Sequence, residues 1–128
     1  MKTALIIEDN PDNMVLITRL LGKAGYLTIQ AVTGMDGFDM ALHERPDFII
    51  LDIQLPDMDG TEVLARIRGS EIGNSIKVIA MTSYAMSGDR EKLLAAGCDG
   101  YIEKPIDPAR VISQIKSLIG DENENTDC

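Results

Sequence analysis

A (βα)5 sandwich, a parallel five-stranded sheet between two layers of helices, is the fold class the sequence predicts. Three observations point there. Short apolar runs rich in β-branched residues recur along the chain, amphipathic helical periods fill the gaps, and the two alternate regularly. Such alternation implies right-handed crossovers, so the strands run parallel and both faces of the sheet are covered. At 128 residues the chain makes one domain, large enough to bury a core without a metal or disulfide staple.

The first strand is read at Ala4 to Ile7. Asn10 then caps a helix, Pro11 takes its first position, and Gly25 stops it; Met14, Ile17, Leu21 and Ala24 share its apolar face. Leu27 to Val32 alternates, which suits a strand with one wetter face near an edge. Phe38, Ala41 and Leu42 mark the second helix, and Phe48 to Leu51 is a strand buried on both faces. Asp59 and Glu62 have the spacing of a capping box and open a third helix through Val63, Leu64 and Ile67. Ile76 to Met81 forms the fourth strand, and Leu93 and Leu94 belong to a helix closed by Gly97. Gly100 to Ile102 is a short fifth strand. Asp107-Pro108 starts the last helix, with Val111, Ile115, Leu118 and Ile119 facing inward.

Composition narrows the function. Hydrophobic residues make up 45% and charged residues 26%, ordinary globular usage. The formal charge is -9, of which Asp121 to Cys128 carry four acids and no base. Residues 1–120 therefore read as the domain and 121–128 as an acidic tail, expected to be disordered and to tune partner choice by its charge. An acidic surface repels phosphate backbones and anionic lipid, so no nucleic-acid or membrane partner is expected. Cys98 and Cys128 make no disulfide framework, and the apolar start is too short for a signal peptide. A reduced, soluble cytoplasmic protein is the simpler reading.

In parallel α/β sheets, ligands gather outside the carboxyl ends of the strands. Glu8 and Asp9 follow the first strand, Asp52 the third, Thr82 the fourth, and Lys104 lies just beyond the fifth. Three carboxylates, a hydroxyl and an ammonium thus share one rim. Crowded carboxylates need a cation, and oxygen ligands without His or Cys suit Mg²⁺. Such an ion with a Lys and a hydroxyl is also what a phosphoryl group requires. Asp52, between the acidic pair and the Thr82/Lys104 side, is the expected nucleophile. As a carboxylate it needs no general base at pH 7, and the product would be an acyl phosphate.

Four stretches then coincide: Glu8-Asp9-Asn10, Asp52 to Gly60 (DIQLPDMDG), Met81-Thr82-Ser83-Tyr84-Ala85, and Gly97 to Pro105 (GCDGYIEKP). In order and spacing they resemble the CheY-like receiver domains of two-component response regulators, from about Lys2 to Gly120. Asn10-x-x-Asn13-Met14 and Tyr84-Ala85-Met86-x-Gly88-Asp89 look most like single-domain regulators of the DivK type, and also like receivers attached to hybrid histidine kinases.

The resemblance implies a flavodoxin-like strand order of 2-1-3-4-5 and a role for each rim residue. Asp9 would ligate Mg²⁺ directly, Glu8 partly through water, and Asp52 and the Gln54 backbone carbonyl would complete the protein's share, with Mn²⁺ able to substitute. Asp52 would be the phosphoacceptor, and Thr82 and Lys104 would bind phosphoryl oxygens, with a cis peptide between Lys104 and Pro105 aiming the lysine. Thr82 and Tyr101 would form the switch, altering the face made by the fourth helix, fifth strand and fifth helix. Gln54 and Tyr84 flank the phosphoryl position and would set the acyl-phosphate lifetime. The donor would be a sensor histidine kinase or a histidine phosphotransfer protein. With the chain ending after the fifth helix, the output would be contact with a target protein, as a monomer or a phosphorylation-dependent dimer.

Other readings fit less well. A haloacid-dehalogenase-type phosphohydrolase would need a second Asp where Gln54 stands, and a cap domain. A flavodoxin-like binder would need a phosphate loop where Glu8 and Asp9 are. Aligning Gly60 with the glycine of a calcium loop puts Leu55 and Arg66 at ligand positions. Two alternatives stay open: a receiver excised from a larger regulator or hybrid kinase, and a receiver-like binding module that is never phosphorylated. Elsewhere, Asp57 and Asp59 read as turn and cap residues. Met14, Met58, Met81 and Met86 read as core filling, Cys98 as buried and inert, and His43 as a surface residue.

Overall fold

The structure is a computed structural model that describes residues 2–73, 75–83 and 87–121, with the backbone alone for 87–90. Five strands alternate with five helices: β1 (Thr3–Ile7), α1 (Pro11–Lys23), β2 (Leu27–Ala31), α2 (Gly34–Glu44), β3 (Phe48–Asp52), α3 (Gly60–Arg68), β4 (Lys77–Thr82), α4 (Ser87–Ala95), β5 (Gly100–Glu103) and α5 (Val111–Ile119). All strand pairings are parallel, in the order β2-β1-β3-β4-β5, as the resemblance implied. β2 lies at an edge and is the wettest strand, which its alternating sequence foretold.

Alternate side chains of β1, β3 and β4 feed two cores. Leu5, Ile7, Ile49, Leu51, Val78 and Ala80 meet α2, α3 and α4 through Ala41, Val63, Leu64, Ile67 and Leu93. On the other face, Ala4, Ile6, Phe48, Ile50, Ile79 and Met81 meet α1 and α5 through Met14, Ile17, Leu21, Val111 and Ile115. Each such aliphatic chain stabilises the fold by roughly 1.5–3 kcal/mol on burial. Because β1 and β3 are flanked by strands on both sides, Ala4 to Ile7 and Phe48 to Leu51 are apolar and buried up to the residues at the carboxyl end. The sheet is thereby a rigid platform for the rim.

Local chemistry sets the helix ends. Asn10 Oδ1 accepts the Asn13 N–H at 3.0 Å and Pro11 opens α1, while Gly25 leaves it at φ 96°. One expectation needs correction. Asp59 is the N-cap of α3 by position, but no capping-box hydrogen bond forms, because Glu62 turns along the helix to pair with Arg66 at 2.9 Å. In α4, Leu93 is buried whereas Leu94 faces outward at 47% exposure. Asp107 does start the last helix, through a turn in which its carboxylate accepts the Ala109 N–H, with α5 proper beginning at Val111.

Arg68 was not singled out from the sequence. Its guanidinium donates to the carbonyls of Gly97 (2.9 Å), Gly73 (2.7 Å) and Ile76 (2.7 Å) and to Asp99 Oδ2 (2.8 Å). That same carboxylate oxygen accepts the Val78 N–H at 2.7 Å, so one arginine fastens the starts of β4 and β5 at the amino end of the sheet. Asp121, read with the tail, is held here as well: its carboxylate accepts the Tyr26 hydroxyl proton at 2.6 Å. Residues 122–128 lie outside the described residues, as does Met86. Met14 and Met81 are buried, Met58 packs on the first core, Cys98 is buried, and His43 is exposed.

Candidate functional site

The carboxyl ends of β1, β3 and β4 and the segment after β5 bring Glu8, Asp52, Thr82 and Lys104 to one rim. Glu8, Asp52 and Thr82 are the buried polar residues among the described ones, at 1%, 3% and 4% exposure. Asp9 stands exposed beside them. One carboxylate oxygen each from Glu8, Asp9 and Asp52 lie within 4.8 Å of one another. They line an open cleft of about 510 Å³ together with Gln54, Ser83 and Lys104.

Backbone geometry aims each group. Glu8 Oε2 accepts the Asn10 N–H at 3.0 Å, so the residue that caps α1 also orients the carboxylate. Asp52 Oδ1 accepts the Gln54 N–H at 3.1 Å. Lys104 follows β5, with its N–H on the Thr82 carbonyl at 2.8 Å and a cis peptide to Pro105. Its ammonium lies 3.1 Å from Glu8 Oε1 and 3.1 Å from Asp52 Oδ1.

The charges are not balanced. Burial pushes the Glu8 carboxyl up to about 7, with the neighbouring Asp52 adding to the rise and the Asn10 N–H and Lys104 opposing it. Burial works against the Lys104 charge, yet Asp52 and Glu8 outweigh it and hold the ammonium above its ordinary range. Glu8 Oε1, although near that ammonium, has no well-aligned hydrogen bond. A buried, unsatisfied carboxylate oxygen among two further carboxylates is the donor set of a hard divalent cation, and the residues fit Mg²⁺.

Gln54 sits on the loop from β3 to α3, exposed above Asp52, and Gly60 closes that loop with a 2.7 Å hydrogen bond to the Ile53 carbonyl. A Cβ at Gly60 would stand 2.6 Å from the Asp52 carbonyl oxygen, so glycine is required there. Tyr101 is half-buried on β5 opposite Ala80, packed against the first core. Tyr84 lies outside the described residues. Asp57, read as a turn residue, proves to cap a helix 23 residues away: its oxygens accept the Gly34 and Met35 N–H groups, which lower its carboxyl pKa. A carboxylate next to Pro56 was the available signal, but its partner is visible only in three dimensions.

A model of the response regulator receiver domain matches residues 4–116. The chain belongs to the response regulator receiver family. It is 43% identical over 120 residues to a polar-differentiation response regulator DivK of Brucella anthropi, an alignment covering 94% of this chain and 98% of that protein. The receiver domain of the sensor histidine kinase PA1611 from Pseudomonas aeruginosa superposes with a TM-score of 0.84 at 34% identity, covering 93% and 98% of the two chains; its structure has a magnesium ion coordinated in the active-site cleft. A CheY-like receiver domain protein from Methanospirillum hungatei gives 0.85 at 31% identity, covering 94% and 95%. As a receiver, the chain is a phosphoacceptor in two-component signalling, a signalling protein and not a classical enzyme. No helix among the described residues is long and apolar enough to cross a membrane.

Proposed function

We propose that Asp52 is the phosphoacceptor and that its phosphorylation alters protein contacts through the face made by α4, β5 and α5. The observation that carries this reading is the placement of Asp52: a 3%-exposed carboxylate in the cleft, beside Glu8 and Asp9 and 3.1 Å from the Lys104 ammonium. Asp9, Asp52 and the Gln54 carbonyl would hold Mg²⁺, or Mn²⁺ in its place, with Glu8 acting partly through water. The ion supplies neutralisation of the phosphoryl oxygens.

The donor class is a phosphohistidine, on a sensor histidine kinase or a phosphotransfer protein. An Asp52 carboxylate oxygen attacks phosphorus, the P–N bond breaks, and its electron pair leaves on the imidazole nitrogen, giving an acyl phosphate. Lys104 already touches the Asp52 oxygen and needs only a small shift to reach a phosphoryl oxygen. Thr82 ends β4 one strand away and would move toward the same group, with Tyr101 following on β5. Gln54 and Tyr84 would set how water reaches the acyl phosphate. A cytoplasmic monomer, or a dimer formed on phosphorylation, suits this role.

The test is intact mass after incubation with phosphoramidate, with and without Mg²⁺. A Mg²⁺-dependent gain of one phosphoryl group that is absent in Asp52→Asn is expected. No gain in folded, Mg²⁺-bound wild type would point to a constitutive binding module or to a receiver restricted to its protein donor.

A further inference from the structure

The geometry points to Asp57 as a positioning residue for the Gln54 carbonyl, which it steadies by fastening the β3–α3 loop to the start of α2. The inference rests on Gln54 being a metal ligand, as proposed above.

The loop leaves β3 directly after Asp52, and its base is closed on itself. Gly60 donates to the Ile53 carbonyl, and Gln54 pairs with Asp59 in an antiparallel bridge. With the Ile53 N–H on the Met81 carbonyl at 3.1 Å, those bonds fix the base of the loop, and none of them reaches residues 55–58 at its tip. Ile53, Leu55 and Met58 pack on the core below, and apolar contact is non-directional.

Asp57 supplies the directional restraint. Its Oδ1 accepts the Gly34 N–H at 2.8 Å and its Oδ2 the Met35 N–H at 3.0 Å. These are the first two N–H groups of α2, which no bond within the helix can satisfy. The helix's own cap, Thr33, serves only the third, on Asp36, at 3.1 Å. Two bonds from one carboxylate fix both the place and the rotation of the loop tip. The approach is close: a Cβ on Gly34 would lie 2.7 Å from Met58 Cγ. Between Asp57 and Gln54 stand only Pro56 and Leu55, and the proline ring removes one of the few torsions that could absorb movement. Mg²⁺ demands near-ideal geometry at about 2.0–2.1 Å, so its affinity registers a small drift of one carbonyl.

The experiment titrates the full chain with Mg²⁺ by calorimetry and follows amide exchange at Gln54 in the metal-free protein. Asp57→Ala is expected to weaken Mg²⁺ binding roughly tenfold, the lower end of what an outer-shell partner contributes, and to speed exchange at Gln54. Phosphate uptake should recover toward wild type at saturating Mg²⁺. Asp57→Glu should restore part of the affinity, because it keeps both oxygens. Thr33→Ala cuts the helix's own cap and should lower Tm while leaving Mg²⁺ affinity unchanged. Should the alanine variant not fold, Asp57→Asn carries the same comparison. Wild-type Mg²⁺ affinity in Asp57→Ala, with only Tm reduced, would make Asp57 a plain helix cap and overturn the inference. A wild-type chain that binds no Mg²⁺ would remove the metal reading and this inference with it, a result distinct from the first.

Discussion

The Lys104 ammonium and the Glu8 carboxylate meet at 3.1 Å, yet this pairing does not keep Glu8 acidic. Burial outweighs it, and the carboxyl stands near 7 against an ordinary 4.5. Between those values the native state keeps a proton that the unfolded chain releases, so stability falls as pH rises through this window and levels off above it. In chelator, wild type is expected to be less stable at pH 8 than at pH 5.5, by on the order of 2 kcal/mol. Urea denaturation of wild type and Glu8→Gln at both pH values checks this, since the variant should lose that part of the slope. The raised Lys104 value acts in the alkaline range and does not enter this window.

Asp52→Asn should separate chemistry from stability. The substitution removes a buried negative charge beside Glu8, so the metal-free variant is expected to melt a few degrees higher, equivalent to about 1 kcal/mol, while losing phosphate uptake. Thermal melts in chelator and in Mg²⁺ provide the comparison, and Mg²⁺ should stabilise wild type more than the variant.

Arg68→Ala leaves three carbonyls and Asp99 without their shared donor. The expected loss is about 2–4 kcal/mol, and lysine should recover little, because it cannot reproduce the fork. The arginine sits at the opposite end of the sheet from Asp52. Phosphate uptake per folded molecule should therefore be unchanged, measured by mass under conditions where the variant remains native.

Two glycines predict opposite signs. Gly60→Ala forces a methyl against the Asp52 carbonyl oxygen and the Ile53 Cα and should cost at least about 2 kcal/mol, with slower phosphate uptake. Gly22, near the end of α1, has open space around a would-be Cβ, and Gly22→Ala should stabilise by about 0.5–1 kcal/mol. Chemical denaturation of the pair distinguishes a steric from an entropic effect.

The strands and the rim were legible because each rests on a local signal. β-branched runs such as Phe48 to Leu51 mark buried parallel strands, and the residue after each run falls at the carboxyl end by construction. What could not be read depends on partners distant along the chain. Asp57 and Gly34 are 23 residues apart, and Arg68 and Asp99 are 31 apart; neither spacing has a periodicity to betray it. The capping-box spacing of Asp59 and Glu62 failed because spacing permits a bond without excluding a better one, here Arg66. Leu93 and Leu94 both lie on the fourth helix, and only the packing of α4 showed which of them faces inward.

The Tyr26–Asp121 hydrogen bond pins Asp121, two residues past α5, against the residue that precedes β2. Tyr26 precedes β2, so Asp121 lies at the pole of the sheet away from Asp52. The point from which a dye or affinity handle would be carried at Asp121 is therefore the pole of the sheet opposite Asp52, the end that Arg68 fastens.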